Sequence, residues 1–262
     1  MVSECACVTK KISIFTALMP STKHDIIRQL EKEILPLQGY KPPTPGGQFS
    51  LGMRPVEEAF PNGVFPTGAM HEFLAANQEE AAARSGFTAA VVGKLMQDCG
   101  VCVWIGRKME VFPPALAQYG IGPERVIFIT PSSEAQVIWA MEEALKCEGL
   151  AAVIGHVRDI DLTTSRRLQL AVEQSRVTGF ILHEPSRQVA LVAAVARWRI
   201  KPLPSALEDG LPGVGFPRWQ VELLKVRNGR PGKWVVEWSA RGFHVVSQPV
   251  LTETKEQKRK VV

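Results

Sequence analysis

Residues 213–238 read GVGFPRWQVELLKVRNGRPGKWVVEW. Two strand-like runs, WQVELLKV and KWVVEW, flank the basic, turn-rich segment Arg227-Asn228-Gly229-Arg230-Pro231-Gly232. Asn-Gly and Pro-Gly adopt turn backbone conformations at little cost, so the stretch is expected to form a β-hairpin with a longer loop and a positive tip. WRIKPL, shortly before it, continues the strand pattern, so an antiparallel unit is expected after Arg197.

Upstream of Arg197 the pattern changes. Strand-like stretches Met70–Ala75, Val101–Ile105, Val126–Ile129, Ala151–Ile154 and Thr178–Leu182 alternate with helical stretches. Those are Ala81–Gln97, Pro114–Tyr119, Glu134–Cys147 and Thr163–Ser175. Runs such as VCVWI, VIFIT and AAVIG carry no polar alternation, as strands covered on both faces do. The stretch 134–147 puts Val137, Ile138, Met141, Ala144 and Leu145 on one side and Glu142, Glu143 and Lys146 on the other. Strands separated by helices of this length imply βαβ units. The expected fold class is α/β, a mainly parallel sheet flanked by helices, with a C-terminal antiparallel β extension. Ahead of it, Ser21 or Thr22 can cap a helix running to Leu35 before Pro36, and PPTPGG (42–47) reads as a stiff linker. The division that follows is a disordered tail (1–20), a helix and linker (21–47), a main domain with the hairpin (48–240) and a basic tail (241–262).

At 262 residues, 45% hydrophobic and 22% charged, the chain can bury one sizeable α/β core and is not a disordered composition. No apolar run reaches the roughly 18 residues of a membrane span. A net charge of +5 permits nucleic-acid contact without demanding it. Five cysteines, Cys5, Cys7, Cys99, Cys102 and Cys147, give no even disulfide framework, so reduced thiols and a cytoplasmic location are expected. Cys99 and Cys102 have CxxC spacing but no second ligand pair, so they read as packed small residues and no metal site is expected. Lys10-Lys11 followed by ISIFTALM has a short apolar region and no small-x-small cleavage site. Met19 directly precedes PSTKHDIIRQLEKEILPLQG and reads as an alternative start.

Beside the hairpin stand PNGVFPTGAMHEFLA (61–75), WAMEEALKCEGLAAVIG (139–155) and TTSRRLQLAVEQSRVTGF (163–180). In this order, from about Ser21 to Trp238, these blocks resemble the ImuA family, the RecA-related members of bacterial mutagenesis cassettes. The resemblance implies a RecA-like, P-loop NTPase-type core. It also implies an accessory role in damage-induced, error-prone translesion DNA synthesis. The partners it implies are an ImuB-like, Y-family polymerase-related protein and an error-prone replicative-type polymerase, with single-stranded DNA and a second copy of the chain as further candidates. Two alternatives stay open: a cell-division inhibitor like SulA, and a DNA-dependent RecA-type ATPase. The N-terminal helix and the terminal hairpin favour ImuA over the inhibitor.

A RecA-like ATPase holds triphosphate in a glycine-rich loop between its first core strand and the following helix, with a Lys on the outer phosphates and a hydroxyl on Mg²⁺. Here that region runs from Ala75 to Thr88, AANQEEAAARSGFT. Ser85, Gly86 and Thr88 fall where a GKT-type motif would end, but Phe87 stands at the Lys position and Ala81 at the first Gly. Glu79 and Glu80 add negative charge, which Arg84 offsets only in part. No acid ends strand AAVIG; Gly155, His156 and Val157 follow, and Asp159 and Asp161 read as turn or capping groups. His183 reads as a structural strand-end residue. His71 and Glu72, adjacent on a strand, point to opposite faces and cannot pair. No catalytic residue and no cofactor are therefore expected.

Function should then lie on surfaces. Arg197, Arg199 and Lys201 alternate along WRIKPL and share a strand face, with Trp198 on the other. Lys225, Arg227 and Arg230 crowd the hairpin, beside Trp219 and Trp234, and Arg187 lies in the short loop 184–188. These six cations are the candidate nucleic-acid or partner contacts, because Lys and Arg gain by neutralising phosphates. The tryptophans read first as core, with base stacking as the alternative.

Overall fold

The computed structural model describes residues 49–97, 100–108, 111–183, 193–206 and 215–246. The chain divides into two units, residues 1–48 and 49–262, and all described residues belong to the second. The helix expected over Ser21–Leu35, the linker 42–47, Cys5, Cys7, Cys99, and Arg187 with its loop lie outside them.

Nine strands form one sheet in the order β3-β2-β4-β5-β1-β6-β7-β8-β9. The parallel half contains β1 (Met70–Leu74), β2 (Val101–Ile105), β3 (Val126–Ile129), β4 (Leu150–Val157) and β5 (Thr178–His183). β6 (Ala196–Ala206) continues it by pairing parallel to β1, then turns the sheet antiparallel through β7 (Phe216–Val226). β8 (Gly232–Ser239) and β9 (Gly242–Val245) complete the extension. The helices are α1 (Arg54–Glu57), α2 (Gln78–Leu95), α3 (Glu134–Leu145) and α4 (Leu162–Ser175). The order of elements and the switch at residue 196 match the expectation from pattern.

The differences are local. The segment expected as a helix over Pro114–Tyr119 is a 3-10 turn, Pro113–Tyr119, because two prolines occupy its start and a short run cannot complete an α-turn ladder. β4 extends to Val157, three residues beyond the expected end, since Gly155, His156 and Val157 all pair with β5. β9 falls within the span read as a basic tail, where Phe243 enters the core and Val236 pairs with Val245. α2 begins at Gln78 rather than Ala81.

Two cores flank the sheet. On one face α2 packs with the segment 49–65 and the 3-10 turn, in a cluster that runs unbroken from Trp104 on β2 to Phe243 on β9. Phe87 of α2 sits in its middle, edge-on to Trp219 at 5.7 Å and tilted on Trp198 at 6.5 Å. On the other face α3 and α4 cover only the parallel half, through Val137, Met141, Leu145, Leu168 and Val172. Gly93 of α2 lies so close to the 3-10 turn that a Cβ would come within 1.9 Å of the Tyr119 carbonyl oxygen. Elsewhere in a helix interior, Gly→Ala gains about 1 kcal/mol. Here Gly93→Ala is expected to cost about 1–3 kcal/mol through overpacking, and the sign of the shift in a urea unfolding curve decides it.

Candidate functional site

In an open α/β sheet the carboxyl ends of the parallel strands are where ligands bind. At the end of β1 only three residues, Ala75–Asn77, separate the strand from α2. The Asn77 side chain caps the helix by accepting from the Glu80 amide at 2.8 Å. Glu80 reaches back, and its Oε2 accepts from the Ala76 amide at 2.8 Å and from Arg199 Nε at 3.0 Å. A helix N-terminus attracts anions through its free amides and its dipole. Here two of the amides at that end are bound by the chain's own Asn77 and Glu80, and Glu79 adds a second carboxylate in the first turn.

Ser85, Gly86 and Thr88 do not border this junction. They lie about 10 to 15 Å along α2 from its start at Gln78, at 1.5 Å per residue. Alignment with the end of a phosphate loop is thus replaced by a packing role. Thr88 and Phe87 are buried, and a Cβ on Gly86 would come within 3.0 Å of the Tyr119 hydroxyl. Three residues of loop cannot form the glycine cradle that a RecA-like ATPase places before this helix. Because β4 is longer than expected, its end is followed by Arg158 and Asp159, both exposed. Asp161 caps α4, accepting from the Thr164 amide at 2.8 Å. Hydrogen bonds from the Thr164 side chain and then from its amide hold the Asp161 carboxyl below the usual range.

His71 and Glu72 do face opposite ways. His71 lies in the α2-side core, stacked on Phe65 at 4.4 Å. Its Nε2 donates to the Pro66 carbonyl at 2.7 Å, leaving Nδ1 to accept from Trp198 Nε1 at 3.4 Å. Glu72 is buried on the other face, where Oε2 accepts from Arg197 Nε at 2.6 Å. Its Oε1 lies 3.0 Å from His183 Nε2, at a distance but not an angle that makes a hydrogen bond. His183 is thus a strand-end residue held in a buried polar cluster, and buried Arg84 of α2 donates to its carbonyl oxygen.

Arg197, Arg199 and Lys201 share one face of β6, as their spacing predicts, but each meets a carboxylate. Arg197 pairs with Glu72, Arg199 with Glu80, and Lys201 with Glu222 at 3.1 Å. Lys233 reaches Glu222 as well, at 3.3 Å, and Arg218 pairs with Glu237. Burial alone would raise the Glu222 carboxyl; the hydrogen bonds from Lys201, Gln220 and Lys233 outweigh it and hold the group below its usual range. The strip read as a free cationic surface is therefore an internally compensated ladder.

At the hairpin, Lys225 and Arg230 are exposed, and Arg227 is half-buried. Asn228 adopts φ 57°, the left-handed turn geometry that Asn-Gly supplies. The tip is docked, since the Arg230 amide donates to the Ala59 carbonyl at 2.8 Å and a Cβ on Gly229 would lie 2.3 Å from the same oxygen. Trp198, Trp219 and Trp234 are all buried, so they fill the core and offer no stacking face. Cys102 is buried too, and burial pushes its thiol up to about 12, well away from a reactive thiolate. The residue that sequence reasoning undervalued is Glu80. Asn77-x-x-Glu80 has the spacing of a capping pattern and was the signal available. Among the described residues no group of three or more His, Cys, Asp or Glu is placed to hold a metal ion. No helix among them is long and apolar enough to cross a membrane.

No family profile matches the chain. It is 35% identical over 227 residues to Protein ImuA of Caulobacter vibrioides, in both the NA1000 / CB15N and the ATCC 19089 / CIP 103742 / CB 15 strains. That alignment covers 80% of this chain and 92% of the relative. Among solved structures, the crystal structure of the RadB recombinase superposes with a TM-score of 0.53 at 16% identity, covering 76% of this chain and 100% of that one. The sheet and its helices thus form a RecA-like fold, continued by the antiparallel extension.

Full burial pushes the His71 imidazole down to about 4, against the upward pull of its bond to Pro66. Unfolded, it titrates near its ordinary 6.5. The unfolded chain therefore binds the extra proton first as pH falls. The contribution is complete above about pH 6.5 and is lost on acidification towards pH 4, up to about 3 kcal/mol. Urea midpoints measured across this window should fall, and His71→Phe should flatten that dependence.

Proposed function

The chain belongs to the ImuA family, and from that premise we propose that it is a non-catalytic accessory protein of damage-induced, error-prone translesion DNA synthesis. It acts as a scaffold for an ImuB-type, polymerase-related partner and, through it, an error-prone replicative-type polymerase. The observation that carries the non-catalytic part is the β1–α2 junction. Two of its amides and Arg199 are bound by Asn77 and Glu80, and its loop is three residues long. A triphosphate placed there would have to displace a carboxylate from an arginine and a backbone amide at once. Gly86, Phe87 and Thr88 serve packing in the same helix.

Single-stranded DNA is a secondary ligand in this reading. Compensation of the β6 strip leaves Lys225 and Arg230, exposed at the hairpin, as the candidate phosphate contacts. Two phosphate contacts on a single strand contribute about 1.4 to the slope of log affinity against log salt. Lys225→Glu with Arg230→Glu should flatten the slope by about that amount, as read by fluorescence anisotropy with a labelled oligonucleotide. In cells, deletion of the gene should lower damage-induced mutagenesis while the cassette partners are present. Unchanged mutagenesis would remove the accessory role, and altered filamentation would favour the division-inhibitor alternative.

A further inference from the structure

Two helices cover the parallel half of the sheet on one face, and their outer surfaces carry side chains that nothing in the fold uses. Trp139 lies between buried Val137 and Met141 on α3, so it points directly away from the sheet and is 64% exposed. Leu170 lies between buried Leu168 and Val172 on α4 and is 58% exposed in the same way. Leu162, Arg166 and Leu170 stand at i, i+4 and i+8, so they form one stripe on α4. α3 and α4 are neighbours, linked by the Arg167–Glu142 ion pair, and both cross over between parallel strands in the same direction. Single exposed leucines are ordinary on a protein surface, but a tryptophan and a leucine stripe on the outward sides of adjoining helices are the residue types that anchor interfaces.

Charge decides what the patch fits. Arg167 and Lys146 are taken by Glu142 and Glu143. Arg166, exposed in the middle of the leucine stripe, makes no ion pair or hydrogen bond among the described residues. The stripe thus reads apolar, cationic, apolar. Leu162 and Leu170 are about 12 Å apart along the axis, at 1.5 Å per residue. A partner helix with apolar anchors seven or eight residues apart spans the same distance and can lie along the outer side of α4, on the face to which Trp139 of α3 also points.

We propose that the outer face of α3 and α4 is the docking surface for an acidic amphipathic helix of a partner protein. Leucine-type side chains of that helix pack on Trp139, Leu162 and Leu170, and a carboxylate between them meets Arg166. The proposal rests on the scaffold reading and locates its partner surface. The test titrates the purified full-length chain with the purified ImuB-type partner by calorimetry. Leu170→Asp, Trp139→Ala and Arg166→Glu are each expected to weaken binding about tenfold or more, with circular dichroism spectra unchanged. Arg241→Glu, an exposed charge reversal on the turn before β9, should bind as the parent does. Affinity of the parent should fall as salt rises, and Arg166→Glu should remove much of that dependence. Undiminished binding by all three patch variants overturns the docking surface and leaves the scaffold reading standing. No binding by the parent overturns both. A parent that self-associates, and becomes monomeric with Leu170→Asp while partner binding is unchanged, shows that the face takes a second copy and also overturns the proposal.

Discussion

The carboxylate of Glu80 fixes where α2 begins, and much of the domain is placed by that start. One oxygen accepts from the Ala76 amide at the end of β1 and from Arg199 on β6, while Asn77 closes the first turn from below. Strand, helix and the neighbouring strand are thereby joined at one point. From there α2 carries Phe87 into the aromatic cluster of Phe73, Trp198 and Trp219, which lies beneath both the parallel and the antiparallel halves. Loss of the carboxylate would leave a backbone donor and a half-buried guanidinium without their acceptor, a larger penalty than loss of a solvent-exposed pair. The same contact sits where a nucleotide-binding relative would present free amides to phosphate. The contact that closes the junction is therefore the one that occupies those donors.

Charge on the other face of the extension follows a similar logic. α3 and α4 stop at the parallel half, so β6, β7 and β8 present a polar face there. Glu72 and Glu222 are buried and Glu237 is half-buried, and each is held by an arginine or lysine from an adjacent strand. Opposite charges across neighbouring strands stabilise a sheet and set its register. A buried carboxylate without such a partner would be costly. The cations of β6 are therefore spent on the sheet, and a net positive charge does not translate into a free phosphate-binding strip.

The alternation of apolar runs and amphipathic helices made the α/β core and the antiparallel extension through β6 and β7 legible in the sequence, because period and burial are directly coupled. Asn228-Gly229 announced the hairpin through its turn geometry. What remained hidden was non-local. The partners of Arg197, Arg199 and Lys201 come from 125, 119 and 21 positions away in the chain, where spacing rules say nothing. Ser85, Gly86 and Thr88 looked like a decayed phosphate motif because residue identity was read against a family pattern. The cap formed by Asn77 and Glu80 starts the helix seven residues before Ser85, which leaves Thr88 buried and Ser85 and Gly86 half-buried along it. The four residues of β9, Gly242–Val245, give too short an alternation to separate from a basic tail.

The fold is RecA-like, and a RecA-like ATPase holds triphosphate after its first core strand, whereas here the β1–α2 junction is filled by the chain's own side chains. Isothermal titration of the full-length protein with Mg-ATP, with and without single-stranded DNA, measures that difference directly. If Glu80 and Asn77 hold the junction as described, no saturable heat appears below millimolar nucleotide under either condition. Saturable sub-millimolar binding, stimulated by DNA and lost when Arg199 is replaced by Ala, would show that the junction opens to phosphate and would contradict a scaffold without a motor.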